Sequence, residues 1–584
     1  MQKIFWALGK LVDYKISLKE LYFSLSSWLV LLILFLGQIT KFQHTLMIIN
    51  LVIAFIVFLV IILFTNRILL SSFITLLLAV SFDYIKQIKW QFLLQDLSAA
   101  DFFMLKLLIN HGLLRLIYEY ATKEIYVIII LLLLNFVLLW NKSDTLLDKT
   151  KLGSKNFYAL RLISIGLAFL IVTKLFDSAI DRNSSLNYFT NSIRLQVAHS
   201  PKKIYGPFAD VLFSLKDIFI APTHIESDET SVLEQIRNIG VKPGFIASNN
   251  MPDIVVILNE STINPYNLDY DFVQNFDFKF FKDGKYTKYS GMLDVNTFGG
   301  SSWISEYEIN TGIPHKLFQG PSYMPFISLV PHTKNSLFSY LKSIGYETSV
   351  VYPIDKNFST ALDAYTKLGA DNVYDIFDFG FKPDSWAQVP DSVIGDIIVK
   401  ILDKPSSKPR YIFAATMLNH GPHSKFKIDK LGCSDFMHDA LCSKLNDYLT
   451  RLSKTNNDQL ELIDKLMSRE KKTILVNFGD HMPSFEGYST QLRFAREIRD
   501  FYKTFYNINT NFANTLIHDK YPLLDITFIP GLILDIAGLN SNNFYKANSY
   551  MRKNCMGNYK NCKNFSKSKL FDSYKSYAIK QLEF

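Results

Sequence analysis

The sequence has few cysteines, a modest charge imbalance and no internal repeat. Four cysteines in 584 residues exclude a small disulfide-stapled scaffold. The missing repeat excludes coiled-coil and collagen-like proteins. Hydrophobic residues make up 49% of the chain and the mean hydropathy is +0.12, which excludes an intrinsically disordered chain. The length allows roughly three or four domains of about 100–200 residues.

Positive charge is in slight excess, with 62 Lys and Arg against 53 Asp and Glu. The net charge of +9 is small for this length, and the basic residues do not gather into one long run. Nucleic-acid binding normally needs a basic patch or stripe. We therefore expect no nucleic acid among the partners.

Long apolar runs are concentrated in the first 180 residues. Each approaches the roughly 17–25 residues that span a bilayer, and the five runs are Tyr22–Ile39, Leu46–Phe64, Ile68–Phe82, Ile125–Trp140 and Leu160–Phe176. A buried core helix is the alternative for any one run, but five in succession predict a membrane domain over residues 1–180. The first run begins too late and is too long for a cleavable signal peptide.

The distribution of Lys and Arg predicts the orientation of these spans. With the N-terminus inside, the segments 1–21, 65–67 and 141–159 are internal and carry more Lys and Arg than the external segments. This bias favours that orientation. Five spans then place everything after about residue 177 on the outer side of the membrane.

The segments around the spans complete the domain organisation. Within 85–124, the run that starts at Asp101-Phe-Phe-Met predicts an amphipathic helix in the membrane interface, with an ordinary packing helix as the alternative. The spans hold few ionisable residues, which favours an anchor and lipid-access platform over a transporter. We expect a linker over 181–250 and a catalytic domain over 251–584.

All four cysteines follow the last predicted span. Cys433 and Cys442 are close in sequence, and so are Cys555 and Cys562. Two short-loop disulfides are plausible in an oxidising compartment. A zinc cluster is the competing interpretation, although the chain lacks CxxC spacing.

The region after residue 250 alternates short β-branched runs with helical segments. This pattern predicts an α/β domain with a mostly parallel central sheet. The predicted strands are Asp253–Leu258, Glu347–Tyr352, Tyr411–Leu418 and Thr473–Phe478. Ligands of such sheets bind beyond the carboxyl ends of the strands. Four polar side chains of acid–base or metal-binding type follow these ends, namely Glu260, His420, Asp480 and His481.

A candidate nucleophile lies between the first predicted strand and a helix. The glycines of Asn296-Thr-Phe-Gly-Gly-Ser-Ser302 predict a tight turn, and Ser302 would stand at the helix N-terminus, where an anion is stabilised. A serine hydroxyl needs a base or a metal to become a good nucleophile. Glu260, Asp480, His481 and Ser302 Oγ together suit one divalent ion, Mn²⁺ or Zn²⁺ rather than Mg²⁺ because of the imidazole.

These motifs resemble the alkaline phosphatase/sulfatase superfamily. The similarity is greatest to its membrane branch, which includes lipoteichoic acid synthases and the phosphoglycerol transferases that decorate periplasmic glucans. The shared motifs are Glu260-Ser261, Gly299–Gly312, Asn419–Pro422 and Gly479-Asp480-His481. The resemblance implies five N-terminal spans in the bacterial inner membrane and a catalytic domain on the periplasmic or extracellular side.

The resemblance also implies roles for individual residues. Glu260, Ser302, Asp480 and His481 would bind the metal, Ser302 would be the nucleophile, and His420 would contact the substrate phosphate. His423 is a further candidate for substrate binding, with a simple loop residue as the alternative. Many members have Thr where Ser302 stands, and Lys356 lies in a segment where some members have a headgroup-binding Arg.

The implied reaction transfers a phospholipid headgroup to a glycan hydroxyl through a phosphorylated Ser302. Gly-Asp-His is followed by Met-Pro-Ser and not by the Gly-Glu common in phosphoethanolamine transferases of lipid A, so the resemblance favours phosphoglycerol over phosphoethanolamine. A true sulfatase needs a Cys/Ser-x-Pro-x-Arg segment. None of the four cysteines begins such a segment, and neither does Ser302, which disfavours a true sulfatase. The alternatives are a phosphodiesterase with water as acceptor and a non-catalytic membrane scaffold.

Overall fold

The computed structural model describes most of the chain after residue 250 and part of the chain before it. The described residues are 44–95, 97–99, 101–102, 147, 152–180, 208, 210–212, 214, 232–234, 251–318, 324–357, 360–382, 389–423, 438–494, 501–513, 520–564 and 569–583. The chain forms two compact units, Met1–Trp90 with Gln95–Ile220 and Gln91–Leu94 with Ala221–Phe584. The domain boundaries expected at residues 180 and 250 stay predictions.

Among the described residues of the N-terminal region there are three long helices, α1 (His44–Thr65), α2 (Ile68–Leu93) and α3 (Ser154–Ile180). Ile68–Trp90 and Ser154–Lys174 are long and apolar enough to cross a bilayer, and Leu51–Thr65 is a shorter apolar stretch. The described residues thus contain two candidate spans where the sequence predicts five. Two of the predicted runs, Tyr22–Ile39 and Ile125–Trp140, lie outside the described residues.

The second helix continues beyond the predicted end of its apolar run at Phe82. Its additional turns carry Lys86 and Lys89, whose ammonium groups lie 2.5 Å from Asp210 Oδ2 and 2.8 Å from Asp101 Oδ2. Both ion pairs stabilise charge on a helix that is otherwise apolar. Residues 103–124, which carry most of the predicted interfacial helix, lie outside the described part of the chain.

The second unit is built on an eight-stranded mixed sheet. Its strand order is β4-β3-β5-β1-β6-β7-β2-β8, and the strands are β1 (Asp253–Asn259), β2 (Thr287–Asp294), β3 (Glu347–Tyr352), β4 (Asn372–Asp375), β5 (Arg410–Ala415), β6 (Thr473–Gly479), β7 (Lys503–Thr510) and β8 (Leu523–Asp525). In this sheet β7 is antiparallel to both of its neighbours, β6 and β2, and the other neighbouring strands are parallel. This confirms the α/β fold with a mostly parallel sheet.

Helices connect and surround the strands. They are α4 (Ser302–Thr311), α5 (Pro325–Ser328), α6 (Leu337–Ser343), α7 (Ala361–Leu368), α8 (Asp391–Asp403), α9 (Asp439–Met467), α10 (Ile529–Ala537), α11 (Asn543–Asn554) and α12 (Lys569–Ile579). Ser336 caps α6 by accepting a hydrogen bond from the Ser339 amide. The sequence predicts a helical segment at Leu441–Leu452, and this segment lies in the first half of the 29-residue α9.

The central strands form the core because their residues are apolar on both faces. Every residue of β1, β5 and β6 is buried, as expected for parallel strands covered on both sides. Val232, from the predicted linker, also lies in this core, and its amide donates to Ser573 Oγ at 3.1 Å. The predicted linker therefore contributes to the packing of the second unit.

The cysteines that the structure describes are oxidised. Cys442 and Cys555 are both disulfide-bonded. Cys433 and the side chain of Cys562 lie outside the described residues, so the pairings expected from the sequence stay predictions.

The buried isoleucine at the centre of β1 should matter more for stability than an exposed one. Ile257→Ala should lower the free energy of unfolding by about 2–5 kcal/mol, because it leaves a cavity in the fully buried strand. Ile327→Ala is the matched control, since Ile327 is 47% exposed, and should change it by less than about 0.5 kcal/mol. Thermal unfolding of the purified protein measures both, and equal shifts would contradict the assignment of β1 to the core.

Candidate functional site

The parallel register of β1 and β6 brings two acidic segments together. Asn259 at the end of β1 pairs with Gly479 at the end of β6, so Glu260 and Asp480 leave the sheet side by side. A Cβ on Gly479 would lie 1.9 Å from the carbonyl oxygen of Thr262, so only glycine permits this close approach. Ser261 has a φ of 51°, which turns the chain sharply after β1.

A glycine-rich turn places Ser302 above the same strand ends. Gly299 and Ser301 both have left-handed backbone conformations, with φ of 69° and 64°. The chain then enters α4, of which Ser302 is the first residue. Ser305, one turn later, donates to the carbonyl oxygen of Asp480 at 2.6 Å and ties the helix to the β6 segment. Ser302 is thus at a helix N-terminus, as predicted.

The side chains of Glu260, Ser302, Asp480 and His481 converge. Ser302 Oγ donates to Glu260 Oε2 at 2.9 Å and lies 3.4 Å from His481 Nε2. His481 Nε2 lies 3.4 Å from Glu260 Oε1 and 3.3 Å from Asp480 Oδ2. One ligand atom from each of Glu260, Asp480 and His481 lies within 4.8 Å of the others. This spacing allows one cation to contact all three side chains.

The donor atoms of this cluster fit a metal ion. Asp480 Oδ1 accepts from the Ser261 amide at 2.8 Å, whereas Asp480 Oδ2 is buried without a hydrogen-bond partner among the described residues. His481 Nδ1 donates to the carbonyl oxygen of Met482 at 3.1 Å. That bond keeps the Nδ1 proton in place and leaves the Nε2 lone pair directed into the cluster. A divalent cation would satisfy both atoms.

Burial and mutual repulsion shift the pKa values of these groups. Burial and the charge of Glu260 raise the pKa of Asp480 to about 7. Burial opposes the charged form of His481, but the charges of Asp480 and Glu260 prevail and raise its pKa to about 9. Burial, and then Asp480 and Glu260, raise the pKa of Glu306 to about 8. The site therefore favours the protonated forms of Asp480, His481 and Glu306, and a bound cation would replace part of this proton charge.

Residues 252–521 match the sulfatase family model. This segment belongs to the sulfatase/alkaline phosphatase superfamily. An uncharacterised protein of Haemophilus influenzae is 27% identical over 394 residues, which cover 64% of this chain and 69% of that protein. A putative cyclic β-1,2-glucan modification protein of Rhizobium meliloti is 23% identical over 257 residues, or 43% of this chain and 39% of that protein.

A solved structure with a similar sulfatase domain is the phosphoglycerol transferase GacH of Streptococcus pyogenes in complex with sn-glycerol-1-phosphate. It is 16% identical, covers 62% of this chain and 95% of its own, and superimposes with a TM-score of 0.48.

His420 stands at the edge of the sulfatase domain's site on a braced loop. It is half-buried, and its charge contributes to lowering the pKa of Glu260, although burial opposes that shift and His481 dominates it. Arg451 of α9 donates to the carbonyl oxygens of Leu418, His420 and Pro422 at 3.3, 2.8 and 3.0 Å. Asp447 holds that guanidinium through two bonds of 2.7 and 2.9 Å.

His423 is placed differently from His420. It is buried, its Nδ1 lies 3.3 Å from Glu486 Oε1, and its Nε2 lies 3.1 Å from the carbonyl oxygen of Asn419. Lys444 pairs with the other carboxylate oxygen of Glu486. Burial opposes ionisation of Glu486, but His423 and Lys444 lower its pKa to about 2. Both ring nitrogens of His423 are engaged within the protein, and its contact with substrate stays a prediction.

Sequence reasoning missed the residues that brace the site. Arg451 and Asp447 are spaced i, i+4 on a predicted helix, which signals a surface ion pair rather than a buried clamp on a distant loop. Glu486 carries no motif, yet it adopts a left-handed conformation with φ of 48° beside His423. Lys356 pairs with Asp378 at 2.6 Å. The roles proposed for the individual site residues stay predictions.

A metal should stabilise the protein through this cluster, and more so at high pH. With Mn²⁺ at about 100 times its Kd, binding should add about 2.7 kcal/mol of stability. Protons on Asp480 and His481, whose pKa values are raised to about 7 and about 9, compete with the ion. The Mn²⁺-dependent rise in Tm should therefore be larger at pH 8 than at pH 6.

Variants show whether this rise comes from the cluster. Asp480→Asn should abolish most of the Mn²⁺-dependent rise in Tm. Asp391→Asn is the matched control, because Asp391 is also buried and burial also raises its pKa to about 7. Asp391 bonds to Thr455 and is not part of the cluster, so this variant should preserve the Mn²⁺-dependent rise in Tm. An undiminished Mn²⁺ effect in Asp480→Asn would contradict the site.

Proposed function

We propose that the protein transfers a phospholipid-derived headgroup, phosphoglycerol in preference to phosphoethanolamine, to a hydroxyl of an extracytoplasmic glycan. The observation that carries this proposal is the convergence of the Ser302 hydroxyl with Glu260, Asp480 and His481. Membership of residues 252–521 in the sulfatase superfamily supports it. The name of the Rhizobium relative supports a glucan-type acceptor.

Glu260, Asp480, His481 and Ser302 Oγ would hold one divalent metal ion. Two carboxylates, an imidazole and an alcohol suit Mn²⁺ or Zn²⁺ better than Mg²⁺, which prefers oxygen ligands and bound water. When bound, such an ion would lower the pKa of the Ser302 hydroxyl and neutralise charge on the substrate phosphate.

The residues of the chain orient the first transfer. The Ser302 hydroxyl points its proton at Glu260 Oε2, which leaves an oxygen lone pair available for phosphorus. A bond from Ser302 Oγ to phosphorus forms while the bond to the diacylglycerol oxygen breaks, and the proton lost by Ser302 ends on diacylglycerol. The N-terminus of α4 stabilises negative charge on the phosphoryl group.

The second transfer reverses the role of Ser302. The acceptor hydroxyl attacks phosphorus, the bond to Ser302 Oγ breaks, and the acceptor proton returns to Ser302. His420 is better placed than His423 to contact the phosphate or to move a proton, because His420 is half-buried at the edge of the site whereas His423 is buried. An imidazole can serve either role, because its two ring nitrogens can donate and accept protons.

The proposed donor and acceptor set the location of the protein. A phospholipid donor requires a site near a membrane surface, and the candidate spans Ile68–Trp90 and Ser154–Lys174 support a membrane anchor. We place the protein in the bacterial cytoplasmic membrane with residues 251–584 on the periplasmic or extracellular side. The disulfides of Cys442 and Cys555 support an oxidising compartment.

Two other functions are separated from this one by simple measurements. A headgroup phosphodiesterase would use water as acceptor, so its products would be the same with and without glycan. A non-catalytic scaffold would hold no metal and would leave phospholipid unchanged. The hydrogen bond between Ser302 and the buried Glu260 favours an enzyme over a scaffold.

Replacement of the nucleophile should abolish the reaction without unfolding the protein. Ser302→Ala should abolish diacylglycerol release from phospholipid, whereas Ser302→Thr should retain it because the hydroxyl remains. Mass spectrometry of the peptide that contains Ser302, after incubation with mixed phospholipids, should reveal the mass of the transferred headgroup. Full activity of Ser302→Ala would refute the proposal.

The clamp on the His420 loop should matter for turnover. Arg451→Lys keeps the charge beside Asp447 but offers three N–H donors, too few for the five bonds that Arg451 makes to Asp447 and the loop. His420 should therefore shift, and kcat should fall about 10- to 100-fold. The pH profile of kcat should also change if His420 moves a proton. Lys454→Arg, on an exposed position of the same helix, is the control. A fall in Tm with kcat and the pH profile unchanged would show that the clamp is only structural.

A further inference from the structure

A cavity of about 260 Å³ opens at the end of β2 and β8 in the sulfatase domain. Asp294 and Asp525 end these two strands, pair in register, and line its floor together with Asn296. Aromatic side chains form much of its wall, namely Tyr502, Tyr559, Phe571 and Tyr574. None of these residues belongs to the cluster around Ser302.

The cavity lies at the same edge of the sheet as the candidate active site. The strand β7 is antiparallel to both β6 and β2, so β2 and β6 point the same way and their carboxyl ends share one edge. The midpoints of the β1–β6 and β2–β8 pairs are three strand spacings apart, roughly 14 Å. Asn296 also lies in the loop that leads from β2 to Ser302.

The side chains of the cavity match the surface of a sugar. Aromatic rings offer flat apolar faces, while carboxylate and amide groups can bond to the hydroxyls at the rim of a sugar ring. Asp525 accepts from the Thr527 amide and hydroxyl at 3.0 and 2.7 Å, and its carboxylate is largely buried. A site of this size and polarity accommodates one small polar ligand.

The lysines at the cavity each contact an acidic or aromatic side chain of the protein. Lys503 and Lys560 lie 2.6 and 3.1 Å from the carboxylate of Asp294, which therefore shares one negative charge between two ammonium groups. Lys316, also in the lining, lies 5.4 Å from the centre of the Tyr502 ring. Lys575 pairs with Asp572 at 3.1 Å and lies over the ring of Phe571. Burial raises the pKa of Asp525 to about 7, so its carboxyl group can be protonated near neutral pH and donate to a sugar hydroxyl.

We infer that this cavity is a saccharide subsite that binds one sugar residue of the acceptor glycan, away from the residue that receives the headgroup. The inference rests on the proposed function and extends it, because it makes recognition depend on the length of the acceptor. A single sugar cannot occupy both positions, whereas an oligosaccharide that reaches across roughly 14 Å can.

Direct binding tests the subsite independently of catalysis. The full-length Ser302→Ala protein is titrated calorimetrically with a β-1,2-linked glucose tetrasaccharide. Adding Phe571→Ala or Tyr502→Leu should weaken binding about tenfold, or 1.4 kcal/mol. Phe377→Ala is the matched control, since Phe377 is 47% exposed and follows β4, at the far end of the sheet. Absent tetrasaccharide binding, or binding insensitive to both cavity substitutions, would overturn the subsite.

Kinetics with acceptors of two lengths provide the second test. In the otherwise unaltered enzyme, Phe571→Ala should raise the KM for the tetrasaccharide about tenfold more than the KM for glucose. Equal effects on the two acceptors would overturn the inference. The inference would also be overturned if the protein bound polyglycerol phosphate but not the tetrasaccharide, and if Lys575→Gln weakened that binding. If no transferase activity exists but tetrasaccharide binding depends on Phe571, the proposed function fails and the subsite stands.

Discussion

The close contact between the ends of β1 and β6 is the constraint on which the site depends. Because Gly479 has no side chain, the carbonyl oxygen of Thr262 can pack against it, and the two strands stay paired to their last residues. Glu260 and Asp480 are thereby forced together in a buried environment. Two carboxylates held this way repel each other unless protons or a cation balance them. The fold thus imposes an electrostatic cost at one point of the sheet edge, and a divalent cation bound there would relieve it.

Hydrogen bonds and a tight turn hold the segments around the strand ends in fixed positions. The turn before α4, the hydrogen bond from Ser305 to the Asp480 carbonyl oxygen and the clamp of Arg451 on the His420 loop each attach a neighbouring segment to the strand ends. The clamp is itself a buried ion pair between Arg451 and Asp447. Replacement of Arg451 by a neutral residue would leave the charge of Asp447 uncompensated. Loops that would otherwise be the most variable parts of an α/β domain are therefore held by side chains from helices.

The same sheet edge offers a second position for a ligand. The reversed strand β7 separates the pair β1–β6 from the pair β2–β8 without changing the edge at which those four strands end. A polymeric acceptor could then be recognised at one position and modified at the other. Binding energy gained away from the reacting atoms helps to orient the substrate at the nucleophile.

The sequence alone determined the α/β class, the central strands and the four converging residues, because β-branched runs that end in polar residues define parallel strands and their active edge. It also predicted Ser302 at a helix N-terminus from the glycines that precede it. The clamp of Arg451, the Glu486–His423 pair and the cavity at β2 and β8 were decided only by the tertiary structure. Each joins segments far apart in the chain, and the periodicity of a sequence describes only what neighbouring residues do.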